Sequence, residues 1–236
     1  MTSDVTAAPA ALLACRDLTA GYSKTAVVHN LDLSVCEGEI LALLGPNGAG
    51  KTTTLLCLAG DLTPMNGDVS FLGATTTSPM FLRCQRGLGY VTEERSAIMK
   101  LTTAENLKVA GVSVDAALAT FPELEPLLSR RAGLLSGGEQ QMLCLARALG
   151  RRPRVLLADE LSLGLAPIIV DRLLSVIRHA ATNDGLAVVL VEQHVQKAFS
   201  IADRVAVLQR GRIVLDGTAE TVRSRLPDIE SAYLSG

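Results

Sequence analysis

The sequence predicts an α/β fold built around a mostly parallel sheet. Three observations carry that prediction. Apolar runs at 40–44, 155–158 and 186–191 are continuous and of strand length, as expected for strands buried on both faces. Between the last two, Ile168, Ile169, Leu173, Val176, Ile177 and Ala180 fall at helical spacing over 167–181, the pattern of an amphipathic helix. Strands that alternate with helices in this way form βαβ units and pair in parallel.

The elements follow in order. A first strand is expected over 11–20, after an Ala/Pro-containing tail at 1–10 that reads as disordered. Leu12-Leu13-Ala14-Cys15 superficially resembles a lipoprotein cleavage box, but residues 1–11 carry no Lys or Arg and the apolar stretch is short, so a strand is the better reading. Leu31, Leu33 and Val35 alternate as a half-buried strand does. The strand at 40–44 runs into a glycine-rich loop, and then into the helix-compatible Thr53-Thr54-Leu55-Leu56-Cys57-Leu58-Ala59. The region of about 95–150 differs, with helical patterns at 103–110, 114–120 and 139–149 and no clear strand. It reads as a helical arm inserted into the sheet domain. Runs at 205–208 and 212–215 flank Gly211 and close the fold as a hairpin. A single domain over 11–236 is expected, with no internal repeats.

Composition narrows the function. The chain has 236 residues, 48% hydrophobic and 19% charged; a chain of this length buries about 70% of its unfolded surface, which gives an ample core. A net charge of −2 and only 3% aromatic residues offer neither the basic footprint nor the stacking platforms of a nucleic-acid binder. The five cysteines, Cys15, Cys36, Cys57, Cys84 and Cys144, are scattered and contain no CxxC pair, which favours thiols over metal sites or disulfides. No run approaches the ~18 apolar residues that span a bilayer.

Gly45-Pro46-Asn47-Gly48-Ala49-Gly50-Lys51-Thr52-Thr53 fits GxxxxGK[ST], the phosphate-binding loop, in the strand–loop–helix setting that the motif requires. A triphosphate is a dense anion and must be wrapped by backbone N–H groups. Gly45, Gly48 and Gly50 let the backbone approach it and adopt positive φ. The helix that follows turns its positive end to the phosphates. Lys51 supplies a point charge, and the Thr52 hydroxyl can ligate Mg²⁺.

Two further motifs gain meaning beside this loop. Val155-Leu156-Leu157-Ala158-Asp159-Glu160 is an apolar strand that ends in two carboxylates. In P-loop ATPases an Asp at such a strand end holds Mg²⁺, and the adjacent Glu is placed to take a proton from water. Leu135-Ser136-Gly137-Gly138-Glu139-Gln140-Gln141-Met142 exposes N–H groups at a helix start, a second anion site. Ser136 and Glu139 also form a capping box, so a well-capped helix without any ligand would carry the same residues.

The order of these motifs resembles the nucleotide-binding subunit of an ABC transporter, over essentially the whole chain from about residue 11. The resemblance implies a P-loop NTPase of ABC type, with a mostly parallel central sheet, an antiparallel β subdomain and an inserted helical arm. It implies ATP and Mg²⁺ as cofactors. It further implies a head-to-tail dimer in which Leu135–Glu139 of one subunit complete the ATP site of another, and integral membrane permease subunits as partners. The chain would then work in the cytoplasm, peripheral to the inner face of the membrane. Residue by residue, Tyr22 matches the aromatic that stacks on adenine, and Val28 is expected to pack near the same ring. Glu93, in Gly89-Tyr90-Val91-Thr92-Glu93-Glu94-Arg95, takes the glutamine-loop slot; a carboxylate there can still ligate Mg²⁺. The switch slot, ten positions before Asp203, is Gln193, with His194 next to it. Gln193 is favoured as the γ-phosphate sensor; Gln can donate a hydrogen bond but cannot become positively charged.

A narrower resemblance is to the branched-chain amino-acid importer ATPases. It rests on Ser162-Leu163-Gly164-Leu165-Ala166-Pro167, Val191-Glu192-Gln193, Glu93, residues 136–142 and Ser231-Ala232-Tyr233-Leu234. Thr92 and Glu94 depart from that group, which tends to have Pro and Gly there, and the helical arm looks short between Ala110 and Ala117.

Overall fold

A computed structural model describes residues 10–225. The tail at 1–9 and the segment 231–234 used in the resemblance lie outside the described residues.

The core is a six-stranded sheet. Its strands are β3 (Ile40–Leu44), β6 (Leu88–Val91), β7 (Val155–Asp159), β8 (Ala187–Glu192), β9 (Arg204–Gln209) and β10 (Arg212–Thr218), in the order β10-β9-β3-β8-β7-β6. The pairs β3–β8, β3–β9, β6–β7 and β7–β8 are parallel, and the β9–β10 hairpin is antiparallel. Every residue of β3, β7 and β8 is buried, which is why these runs are apolar without alternation. A second, antiparallel sheet holds β1 (Ala11–Tyr22), β2 (Thr25–Cys36), β4 (Asn66–Phe71) and β5 (Ala74–Thr75) in the order β2-β1-β4-β5.

The side-chain period of two sorts the central strands onto two faces. Leu41, Leu43, Val155, Leu157, Val189 and Val191 pack with Leu55 and Leu58 of α1 (Lys51–Ala59) and with Leu13, Leu18 and Leu31 of the second sheet. On the other face, Leu156, Ala158, Val188 and Leu190 pack with Leu143 and Leu145 of α5 (Gly137–Leu149), and with Leu173 and Ile177 of α6 (Pro167–Asp184). The amphipathic face expected over 167–181 is thus the face that covers the sheet. Pro167 opens α6, and Gly185, at φ 69°, ends it. Nearer β9, Ala42 and Leu44 meet Ala198 and Phe199 of α7 (Val195–Ile201) and Val222 of α8 (Ala219–Arg223).

Between β6 and β7 lie α3 (Thr103–Val109), α4 (Val114–Thr120), two short 3₁₀ turns (Pro122–Leu127, Ala132–Leu134) and α5. An isolated bridge joins Thr102 to Arg131. Helix α5 starts at Gly137 rather than at 139, because Ser136 caps it and both glycines take up the first turn. Short elements that carry little periodicity escape a sequence reading; β4, β5, α2 (Met80–Gln85), α7 and α8 are of this kind. Cys15, Cys57 and Cys144 are buried thiols, with Cys36 and Cys84 half-buried.

Candidate active site

Parallel register sets the site. Leu44, the last residue of β3, pairs with Glu192, the last of β8, and Asp159 pairs with Val191. The carboxyl ends of β3, β7 and β8 therefore stop level. Their successors Gly45, Glu160 and Gln193 emerge at one edge of the sheet, where ligands of open α/β sheets bind. A cavity of about 450 Å³ lies there, lined by Val27, Asn47, Gly48, Gly50, Lys51, Thr52, Thr53, Glu93, Glu160, Leu163 and Gln193.

The loop is built closely against its neighbours. A side chain on Gly45 would come within 2.3 Å of the Leu208 carbonyl, and Gly50, at φ 107°, would press one to 2.9 Å from Val28 Cγ2. Only glycine fits both the space and the left-handed conformation at 50. Gly50 caps α1, which points its N-terminal N–H groups at the cavity.

Lys51 is 5% exposed. Its Nζ donates to the carbonyls of Gly45 (2.9 Å) and Pro46 (3.1 Å) and stands 3.7 Å from Glu160 Oε1. Burial pushes its ammonium below the usual lysine range, while the Glu160 and Asp159 carboxylates pull the other way. An ammonium held on two carbonyls and short of a full counter-charge is poised for an anionic ligand.

Glu160 occupies the left-handed region, at φ 47°, which costs a non-glycine residue about 1 kcal/mol or more. Its N–H donates to the Val191 carbonyl at 3.0 Å, and its Oε2 accepts from Gln193 Nε2 at 2.6 Å. The strained turn swings the carboxylate from the strand end into the cavity.

Asp159 is 2% exposed, and its Oδ1 has no hydrogen-bond partner. Burial raises its carboxyl to about 6, against a bond from Thr52. A buried, orphaned carboxylate oxygen beside a hydroxyl fits a hard divalent cation with oxygen ligands. The described residues hold no cluster of three or more His, Cys, Asp or Glu that would form an all-protein cage. This suits Mg²⁺, which takes one or two carboxylates and fills its remaining positions from phosphate and water.

The switch residues separate cleanly. Gln193 lines the cavity, whereas His194 is the N-cap of α7 and is not among the lining residues.

One expected contact needs correction. Val28 is fully buried in the core, and Val27 lines the cavity instead. The cause is a bulge. Extrapolating back from Leu31, Leu33 and Val35 would put residue 28 on the opposite face from these three. But Asn30 has φ 47°, and the β1–β2 register shifts between Leu18↔Leu31 and Ala20↔Val28. One extra residue inverts the alternation. Tyr22, at the end of β1, is 52% exposed and does not line the cavity.

Leu135, Ser136, Gly137, Gly138 and Glu139 are likewise absent from the lining. Ser136 Oγ accepts from the Glu139 N–H, and Glu139 Oε2 accepts from the Ser136 N–H at 2.6 Å, completing the capping box. Side chains at 137 and 138 would meet the Arg95 guanidinium and Ile169 at 3.0 Å. The glycines therefore have packing reasons as well as an exposed loop to offer. Within one chain the loop at 135–139 does not line the cavity at 45–53.

Besides Val27, two residues at the site escape sequence reasoning. Leu163 lines the cavity, and Glu192, fully buried, accepts from Ser162 Oγ (2.5 Å) and Ser162 N–H (3.2 Å). An acidic residue ending an otherwise apolar strand was the available signal.

Residues 28–162 match the family described as ABC transporter. The chain is 38% identical over 225 residues to the high-affinity branched-chain amino acid transport ATP-binding protein BraG of Pseudomonas aeruginosa, covering 91% of this chain and 96% of that one. It is 39% identical over 216 residues to the probable branched-chain amino acid transport ATP-binding protein LivF of Archaeoglobus fulgidus, covering 86% and 90%. It is also 31% identical to the lipopolysaccharide export system ATP-binding protein LptB of Acidithiobacillus ferridurans, covering 94% and 96%. Among solved structures, a dimeric ATP-binding cassette in a post-hydrolysis state, bound to ADP and Pi, superimposes with a TM-score of 0.79 at 23% identity, covering 88% of this chain and 98% of that one. With the phosphate-binding loop, the paired carboxylates and the capped signature helix in place, these matches make the chain a member of the ABC transporter family and an ATPase of it.

Proposed function

We propose that this chain is the ATP-hydrolysing subunit of an importer for branched-chain amino acids or a related small solute. The identity with BraG and LivF supports the solute class. The observation that carries the mechanism is the half-site: the cavity at 45–53 lacks the 135–139 loop, which lies elsewhere on the same chain. Two chains packed head-to-tail bring each loop to the other's cavity, as suits a fold shared with a dimeric cassette. Closure on ATP and reopening after hydrolysis would drive permease subunits between inward- and outward-facing states. No helix among the described residues is long and apolar enough to cross a membrane, so the permease would anchor the chain to the cytoplasmic face.

Lys51 neutralises charge on the β/γ-phosphates. Thr52, Asp159 and Glu93 would hold Mg²⁺, which would supply further charge neutralisation. Glu160 orients water and accepts its proton. Gln193, released from Glu160, donates to the γ-phosphate. Ser136–Glu139 of the partner subunit close the cage, and Tyr22 and Val27 contact the base.

A complementation experiment tests the half-site. A Lys51→Ala chain and a Gly137→Asp chain are each expected to be inactive, and their mixture should regain up to about a quarter of wild-type turnover, since about half the dimers are mixed and each carries one intact composite site. No recovery on mixing would refute the shared site. For the solute, deletion of the gene should abolish ATP-dependent leucine uptake. Unchanged uptake with disturbed lipid export would favour the role in LptB's name. A second reading, an ATP-binding half of an asymmetric pair, is motivated by Glu93 and Gln193; hydrolysis that appears only with a different partner ATPase would support it.

A further inference from the structure

The segment after Glu160 is fastened to β8 by one buried carboxylate. Glu192 is the last residue of β8 and has no exposed surface. It accepts both donors of Ser162, the hydroxyl at 2.5 Å and the backbone N–H at 3.2 Å. Ser162 is two residues beyond Glu160, and Leu163, next in line, faces the cavity. On the other side Glu192 adjoins Gln193, whose amide holds Glu160 at 2.6 Å. A fourth bond, Glu160 N–H to the Val191 carbonyl, completes the lacing of 160–163 to 191–193.

A carboxylate in the core is expensive to bury. Burial raises its carboxyl above the usual range, opposed by the two bonds from Ser162. A stable core has no need of it, since valine or leucine would continue β8 without that cost. What the carboxylate provides is directional. It fixes the turn that carries Glu160, a residue in a strained conformation that relaxes unless its surroundings hold it.

Resting on the reading of Glu160 as the group that orients water, we infer that Glu192 and Ser162 are a positioning pair for hydrolysis. They lock the Glu160 turn to the Gln193 strand end, so that the carboxylate and the γ-phosphate sensor move as one unit. Neither lines the cavity. Loss of the lock leaves nucleotide binding at Lys51 and Thr52 intact and misplaces Glu160. A misplacement on the order of 1 Å costs about 10²-fold in rate.

The test uses the full-length protein in steady-state ATPase assays, with Glu192→Ala, Glu192→Gln, Ser162→Ala, the Glu192→Ala/Ser162→Ala double variant and Glu160→Gln side by side. Glu192→Ala and Ser162→Ala should each lower kcat about 10- to 100-fold, with KM for ATP changed less than threefold. The double variant should be no slower than the worse single one. Glu192→Gln can accept from the Ser162 N–H and donate to its Oγ, and should stay within about threefold of wild type. Should Glu192→Ala not fold, Ser162→Ala removes a single oxygen and gives the same readout. A wild-type kcat in Ser162→Ala, additive losses in the double variant, or a loss carried by KM would overturn the pairing. Glu160→Gln separates the two ideas. If it alone retains full activity, the role of Glu160 is wrong; if it alone is inactive, Glu160 stands and the positioning pair falls.

Discussion

The side-chain amide of Gln193 donates to Glu160 Oε2 at 2.6 Å, while Glu160 Oε1 faces Lys51 Nζ at 3.7 Å. Three groups that sequence places at 51, 160 and 193 thus form one chain of contacts. The Glu160 carboxylate is held by the two groups that the proposed mechanism directs to the phosphates.

Replacing Glu160 by Gln should lower ATP turnover by about 10²–10⁴-fold, the usual weight of a general base. ATP binding should persist, because Lys51 keeps its two carbonyl partners. Phosphate release and nucleotide titration on the same preparation measure both. Undiminished turnover under dimer-forming conditions would exclude the assigned role.

Gln193→Ala should reduce kcat about tenfold or more, the scale of one lost charge-assisted hydrogen bond. His194→Ala should stay within about twofold, since His194 is not among the residues that line the cavity. The opposite ranking would mean that the neighbouring histidine is the sensor.

Asp159 predicts a pH signature in stability. Its carboxyl sits at about 6 in the fold, against an ordinary 3.8. Between these values the unfolded chain releases the proton while the folded chain retains it. Stability is therefore full below about 4, falls as pH rises through 6 and then levels off, a loss of about 3 kcal/mol for a shift of about two units. Asp159→Asn should raise the melting temperature of the nucleotide-free protein at pH 7.5, and much less at pH 4.5. It should also weaken the further stabilisation that Mg²⁺ brings with ATP. Thermal unfolding at the two pH values checks the first point, and an equal gain at both would rule out burial as the cause.

The bulge at Asn30 separates two neighbouring valines by experiment. Val28→Ala should cost about 2 kcal/mol of stability through an internal cavity, with nucleotide affinity retained. Val27→Ala should leave stability nearly unchanged and weaken ATP binding about threefold or more, for the lost apolar contact. Denaturant unfolding and nucleotide titration distinguish them, and swapped phenotypes would contradict the inverted alternation.

By itself the sequence determined what depends on neighbours in the chain. The glycine spacing of 45–50, the Ser136–Glu139 capping box, the unbroken apolar runs of β3, β7 and β8 and the helical face of α6 are all local chemistry. Each appears in the structure within a few residues of its expected place. Tertiary structure alone decided which groups meet. Parallel register brings positions some 30 residues apart, such as Ser162 and Glu192, into hydrogen-bond contact. The strand end of β8 turns Gln193 rather than His194 into the cavity, and a single left-handed residue in β2 exchanges the faces of Val27 and Val28. Periodicity records how often side chains point inward. It does not record a bulge, or the level at which strands stop, because backbone pairing with distant segments fixes both.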